Sequence, residues 1–129
     1  MNTRSRDGFT LIELLIVVVV IGILAAIAIP KFKSVRERAF MSSIKTDLRN
    51  VSNLQEVYYN EHFTYATDAS ALGFTNSEGS FVSLVEGDNT GWSASATHPG
   101  VPGESCAIYH GDATQLAPAN VESVVLCSR

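Results

Sequence analysis

The apolar positions of the chain first form one long block near the N-terminus. Between Phe9 and Ile29 the only ionisable group is Glu13, and the only hydroxyl belongs to Thr10. A helix of this length extends roughly 30 Å, the thickness of the hydrocarbon core of a bilayer. A helix can cross lipid because it satisfies its own backbone hydrogen bonds. The block therefore predicts a membrane-spanning helix over residues 9–30.

After Pro30 the apolar residues recur three or four positions apart, which is the period of an amphipathic helix. This pattern predicts that the helix continues over residues 31–61. Pro30 cannot donate to the carbonyl of Ala26, and Gly22 is a second flexible point, so we expect a bend at these positions. Two separate helices broken at Pro30 are the alternative, which the lack of turn residues after it disfavours. The apolar positions are Phe32, Val35, Phe40, Ile44, Leu48, Val51, Leu54 and Tyr58.

The second half of the chain predicts a small sheet. Residues 62–80 are rich in loop formers, with a short helical turn capped by Thr67 or Asp68 and ending near Gly73. From Phe81 the period changes to two, and turn-rich segments separate short apolar runs. Residues 81–129 therefore predict an antiparallel meander of three or four strands that packs one face on the helix, an α+β fold. The predicted strands are Phe81–Val85, Trp92–Thr97, Cys106–Tyr109 and Val121–Cys127.

The start of the apolar block carries a processing signal. Gly8, Phe9 and Glu13, followed by the apolar run and Pro30, resemble the type III signal of type IV pilins and pseudopilins. The resemblance covers about the first quarter of the chain. It implies that a membrane-bound prepilin peptidase cleaves between Gly8 and Phe9, removes residues 1–8 as a leader, and N-methylates the new amine of Phe9. An ordinary secretory signal would instead end in a small-residue cleavage site.

Glu13 is an acid inside an apolar helix. Such a residue costs about 2.5–3.5 kcal/mol at mid-membrane and less near a helix end. Because Glu13 lies about one turn from the polar boundary, its side chain can simply extend toward water. The pilin resemblance implies instead that its carboxylate pairs with the Phe9 amine of a neighbouring subunit. That pairing would set the register of assembly, since a helix docked at the wrong height leaves a buried charge unpaired.

Charge is distributed unevenly along the chain. Residues 31–49 carry six bases and two acids, whereas nine acids and the single base Arg129 follow Asn50. The acidic C-terminal region argues against non-specific nucleic-acid binding, and no specific nucleic-acid site is evident. The basic segment fits a solvated helix face near anionic headgroups, or a surface that meets acidic faces of neighbouring subunits. Bases on both sides of the apolar helix conflict with a simple positive-inside orientation, but a folded domain can be translocated despite its charge.

Two cysteines, Cys106 and Cys127, lie in the last two predicted strands, so one disulfide is possible. Closing a loop of this length would stabilise the fold by roughly 3 kcal/mol in the chain-entropy model. Two buried thiols are the alternative. A disulfide loop near the C-terminus resembles that of type IV pilins and is less usual in the major pseudopilins of type II secretion.

Other candidates for chemistry are few. His62, His98 and His110 match no metal-ligand spacing with one another or with the cysteines, so we predict no metal site. The turn from Glu86 to Asn89 offers oxygen ligands for calcium, but it is far from an EF-hand pattern, and a solvated turn is expected. Neither a phosphate-binding glycine loop nor a catalytic constellation occurs, so no cofactor and no enzymatic activity are predicted.

The pilin resemblance implies a structural function. The chain would be the major subunit of a type IV pilus used in adhesion, motility or DNA uptake, and its main partners would be further copies of itself. The resemblance also implies an inner-membrane precursor with a cytoplasmic N-terminus, a membrane platform, assembly and retraction ATPases, and minor pilins. A pseudopilin of type II secretion, a minor pilin and a binding module that stays in the membrane are the alternatives.

Overall fold

A computed structural model describes residues 8–128 of the chain. Residues 1–7 and Arg129 lie outside this part, so the predicted leader is described only at Gly8. Within it the chain forms a long helix, a short 3₁₀ helix and four strands. These are α1 (Leu11–His62), the 3₁₀ helix Ala69–Leu72, β1 (Phe81–Gly87), β2 (Gly91–Thr97), β3 (Ser105–Gly111) and β4 (Leu126–Cys127). The predicted α+β class, a long N-terminal helix with an antiparallel meander, is confirmed.

The helix α1 runs for 52 residues without interruption and includes Pro30. Pro30 has no backbone N–H and leaves one helical hydrogen bond unmade, but the apolar residues on both sides keep the helical period. The alternative of two separate helices broken at Pro30 is therefore wrong. The chain divides into two compact units, Met1–Val35 and Arg36–Arg129, and α1 contributes residues to both.

The second unit is built on a sheet with the strand order β1-β2-β3-β4, in which every neighbouring pair is antiparallel. In the central strand β2, Ala94 pairs with Leu84 of β1 and with Ile108 of β3. Alternate strand residues share a face, so the face of Ala94 also carries Trp92, and it packs on α1 in one core. The fully buried residues that α1 contributes to this core are Ile44, Leu48 and Val51.

Two polar side chains of α1 are buried in this core and hold the loop that follows the helix. The carboxylate of Asp47, which is 2% exposed, accepts hydrogen bonds from the Ser77 backbone N–H at 3.0 Å and the Ser77 hydroxyl at 2.6 Å. Gln55 exchanges hydrogen bonds with the backbone of Ala66 at 2.8 and 2.9 Å. Asp47 is not one of the apolar positions of the predicted amphipathic helix, so helical periodicity does not predict its burial. Its partner lies 30 residues further along the chain, beyond the reach of helical periodicity.

The 3₁₀ helix lies in the expected part of the connecting loop. Asp68 caps its start, because its carboxylate accepts a hydrogen bond from the backbone N–H of Ser70 at 3.0 Å. Gly73 ends it in the left-handed conformation with φ 64°, which a residue without a side chain adopts at no steric cost. The prediction of a capped turn ending near Gly73 is confirmed.

The face of the sheet turned away from α1 is covered in part by the chain after β3. Ala107 and Tyr109 of β3 form a second small core with Ala119. Ser123 has φ 60°, and its N–H donates to the carbonyl of Tyr109 at 2.8 Å. The chain therefore turns where a strand over Val121–Cys127 was predicted. That prediction is wrong in length, since β4 contains only Leu126 and Cys127.

Candidate functional site

The helix α1 begins with a reciprocal set of hydrogen bonds between Thr10 and Glu13. The Oε2 atom of Glu13 accepts from the backbone N–H of Thr10 at 2.8 Å and from its hydroxyl at 2.6 Å. The backbone N–H of Glu13 lies 3.3 Å from the hydroxyl oxygen of Thr10 and donates to it. This arrangement is a capping box, which satisfies backbone donors that the first turn of a helix leaves unpaired. The Thr-x-x-Glu spacing could have identified it from the sequence, and it is a feature that the sequence analysis missed.

The predicted cleavage site lies immediately before this cap. Gly8, Phe9 and Thr10 are not helical, and all three are exposed. Phe9 is 78% exposed, so its side chain has few contacts within the single chain. The Gly8–Phe9 bond is therefore in open, non-helical backbone, and its cleavage and the methylation of Phe9 stay predictions.

Glu13 has a partner within its own chain, and this changes the choice between its two predicted roles. The carboxylate already accepts two hydrogen bonds from Thr10, and it is exposed. Extension toward water and pairing with the Phe9 amine of a neighbouring subunit both stay predictions. Helix capping is a third role of the Glu13 carboxylate. An experiment on either predicted role must therefore separate it from the effect of capping.

The surface of α1 from Leu11 to Ile29 is apolar and exposed. Its large apolar side chains are between 46% exposed, at Val17, and 89% exposed, at Leu11. The most apolar stretch has a mean hydropathy of 3.2, and none of it is buried in the chain. Among the described residues, α1 is the helix whose length and composition suit a membrane span. An apolar surface of this extent marks a site of membrane or protein contact.

Gly22 and Pro30 both lie inside α1. A methyl group placed on Gly22 would meet open space, so packing within the single chain does not require glycine there. The bend expected at Gly22 and Pro30 stays a prediction.

At the other end of the chain, a disulfide joins Cys106 of β3 to Cys127 of β4. The two residues are directly paired in the antiparallel register, and their Cα atoms are 4.0 Å apart. Ser128 adds to this closure, because its N–H donates to the carbonyl of Ser105 at 2.9 Å. The last residues before Arg129 are therefore held to β3 by a covalent bond as well as by the backbone.

In the acidic turn at Glu86–Asn89, one carboxylate oxygen of Asp88 and one of Glu86 accept hydrogen bonds from the protein. One carboxylate oxygen of Asp88 accepts from the N–H and hydroxyl of Thr90, at 2.7 and 2.8 Å, and from the N–H of Gly91 at 2.9 Å. These bonds, those of Thr90 first, hold the pKa of the Asp88 carboxyl below its usual value. Glu86 accepts from the backbone N–H of Thr114 at 2.8 Å. The turn is a hydrogen-bonded structural element, and its use for calcium stays untested.

Each histidine has its own structural contact. The ring of His98 stacks on Phe40 with the ring centroids 4.1 Å apart, and that of His62 stacks on Tyr58 at 4.0 Å. The Nδ1 atom of His110 lies 3.6 Å from a carboxylate oxygen of Glu122. Among residues 8–128 no group of three or more metal-ligating side chains comes together.

Comparison with known proteins places these features in a family. The motif described as the prokaryotic N-terminal methylation motif matches residues 3–29, which include the Thr10–Glu13 cap. The type IV major pilin protein PilA of Myxococcus xanthus is 45% identical over 91 residues, covering 67% of this chain and 41% of that protein. The chain belongs to the type IV pilin and pseudopilin family.

The relatives in this family are named either as pilus subunits or as components of type II secretion. The type IV wide pilus major component PilA4 of Thermus thermophilus is 41% identical over 69 residues, covering 54% of this chain and 53% of that protein. The type II secretion system core protein G of Pseudomonas aeruginosa is 35% identical over 72 residues, covering 56% of this chain and 51% of that protein. The chain spans about half the length of these curated relatives, or less. Family membership alone therefore does not separate a pilus subunit from a secretion component.

Proposed function

We propose that the chain is the major structural subunit of a type IV pilus. The observation that carries this proposal is the exposed apolar surface of α1 between Leu11 and Ile29, which is not covered by any other part of residues 8–128. The similarity to major pilins at 45% and 41% identity supports it. The subunit would be structural and would catalyse no reaction.

In this proposal the apolar part of α1 has two successive environments. The precursor lies in the inner membrane, with the leader in the cytoplasm and the second unit on the other side. A prepilin peptidase then removes residues 1–8 and methylates Phe9. A membrane platform and its ATPases move the mature subunit out of the lipid, where its helix packs against those of other copies and minor pilins complete the fibre. The finished pilus would serve adhesion, motility or DNA uptake.

Cohesion and register have separate sources in such a fibre. Packing of the helices keeps the large apolar surface away from water, and each Å² of it contributes about 25 cal/mol. This attraction is not directional, so it does not define the height at which two helices meet. We propose that the carboxylate of Glu13 and the amine of Phe9 on a neighbouring copy define that height.

A pseudopilin is the second candidate, because the core protein G of type II secretion is 35% identical over 72 residues. The disulfide between Cys106 and Cys127 favours the pilin, since it lies where the pilin resemblance places one. Deletion of the coding sequence distinguishes the two candidates. Loss of exported enzymes with surface fibres intact would favour the pseudopilin.

The test of the proposed function is to shear fibres from the cell surface, image them and determine the mass of their subunit. We expect abundant long fibres built mainly of this chain, with N-methylated Phe9 as the first residue. Fibres that lack this chain, or fibres that contain it with residues 1–8 attached, would contradict the proposal. Traces of the chain in fibres built mainly of another subunit would indicate a minor pilin.

A further inference from the structure

A groove in the second unit carries two cations. It lies between the middle of α1 and the segment that leads into β4. Lys45 is half-buried, and Arg49, one helical turn later, is exposed. Ser52 and Asn53 continue this polar wall, whereas Ile108 and Val125 form an apolar floor. None of the residues that line the groove is acidic.

Within residues 8–128, the charge of this groove is not compensated by an ion pair. In the part of the chain that the structure describes, neither Lys45 nor Arg49 forms an ion pair. Like charges four residues apart on a helix repel each other, so this pair lowers the stability of α1 unless an anion lies between them. Every polar group of the wall can donate a hydrogen bond, and the guanidinium of Arg49 suits the two oxygens of a carboxylate. The residues that line the groove therefore have the chemistry of a carboxylate-binding site.

We propose that this groove receives an exposed carboxylate from the acidic C-terminal part of a second copy of the chain. The inference rests on the proposed function, since it requires a polymer of this subunit. Residues 31–49 carry six bases against two acids, whereas nine acids follow Asn50. Each copy thus carries both members of a complementary pair, and polymerisation brings them together at high effective concentration.

The acids that can occupy the groove are exposed and do not form ion pairs within residues 8–128. They include Glu61 at the end of α1, Glu78 in the connecting loop and Asp112 after β3. These positions differ from the groove, so the contact joins two different surfaces of identical copies. Such a head-to-tail contact generates an open helical array unless its rotation closes into a ring. A contact of this kind fits a filament and would add to the packing of the apolar helices.

The first test reverses one charge at a time. Arg49→Glu should lower the yield of sheared filaments about tenfold or more, because like charges across an interface are strongly unfavourable. Arg38→Glu is the matched control, since Arg38 is also an exposed arginine of α1 and does not line the groove. We expect this control to assemble close to the wild-type level, with equal amounts of both variants in the membrane. Arg49→Gln, which removes the charge and adds no opposite one, should give an intermediate loss.

Three results would overturn the proposal. Wild-type filament yield from Arg49→Glu would show that the groove is not a contact, while leaving the proposed pilus function intact. An equal loss in Arg38→Glu would assign the effect to net charge. If filaments of Arg49→Glu form normally but lose binding to duplex DNA, the groove is a nucleic-acid surface instead. Absence of the wild-type chain from all surface filaments is a separate outcome, which removes the proposed function together with this inference.

The second test identifies the partner directly. A carbodiimide couples a lysine amine to a carboxylate that touches it. We expect treated wild-type filaments to yield covalent dimers in which Lys45 is joined to an acid beyond Asn50. Lys45→Arg is the control, because it keeps the positive charge and removes the reactive amine, so its filaments should lose this dimer. Coupling of Lys45 only within one chain, or no coupling of Lys45 in wild-type filaments, would overturn the assignment.

Discussion

At the scale of single residues, Asp47 is a buried carboxylate whose two oxygens are both used by Ser77. Asp47→Ala leaves the N–H and hydroxyl of the half-buried Ser77 without their charged acceptor, and the loss of such hydrogen bonds costs about 1–3 kcal/mol. We expect the free energy of unfolding to fall by that amount, measured by urea denaturation of the full-length chain in detergent. Trp92, the only tryptophan and 1% exposed, reports on the same core by fluorescence.

A matched control for that substitution is Asn50→Ala, since Asn50 is exposed on the same helix. Both changes give α1 a better helix former, which stabilises it by a similar fraction of a kcal/mol. Asn50→Ala should therefore be neutral or slightly stabilising. If the two variants unfold at the same urea concentration, the Asp47–Ser77 bonds do not contribute to stability as we infer.

Asp88 provides a pH dependence whose sign follows from its hydrogen bonds. Because those bonds hold its pKa below the ordinary value of 3.8, they stabilise the fold fully above about that pH. The stabilisation is lost as the pH falls through the lowered pKa. The difference in thermal midpoint between the wild type and Asp88→Asn should therefore be constant near neutral pH and shrink below about pH 3.8. A difference that stays constant throughout the acid range would contradict this role.

At the scale of elements, α1 and the first three strands follow from the spacing of apolar residues, because each is long enough to show its period. The fourth strand does not, since Val121–Cys127 looks like a strand while Ser123 turns the chain at φ 60°. A contact with Tyr109 of β3 determines that turn, and no local pattern encodes it. The burial of Asp47 likewise depends on a contact with a distant residue, Ser77. Contacts between distant segments are what the sequence pattern could not supply.

The shortness of β4 makes the disulfide its main attachment. Replacing Cys106 and Cys127 by serine should remove about 3 kcal/mol of stability, because a loop of this length is no longer closed in the unfolded chain. Hydrogen exchange measured on the serine variant should show faster exchange at Leu126, while amides paired between β1 and β2 remain protected and serve as the internal control. Unchanged exchange at Leu126 would mean that backbone pairing alone holds β4.

At the scale of the whole molecule, two units have different chemistry. The first exposes an apolar helical surface with one acid, and the second is a folded domain in which basic and acidic regions are separated along the sequence. Apolar attraction between copies supplies strength without direction, whereas charge contacts supply direction. We infer that Glu13 and the groove at Lys45 and Arg49 form two separate directional contacts in the same assembly.

Two matched substitutions can separate the proposed pairing of Glu13 with the Phe9 amine from its role in the capping box. Glu13→Gln keeps the cap, because glutamine also serves at this position of a capping box, but it removes the charge. We expect this variant to enter the membrane and to be cleaved normally, and to yield few or no sheared filaments. Thr10→Ala keeps the carboxylate and removes the cap hydroxyl, at a cost of about 1 kcal/mol to the helix start. It should assemble close to the wild-type level. The reverse pattern, with filaments from Glu13→Gln and none from Thr10→Ala, would assign Glu13 to starting α1 and would remove its pairing with the Phe9 amine from the proposed mechanism.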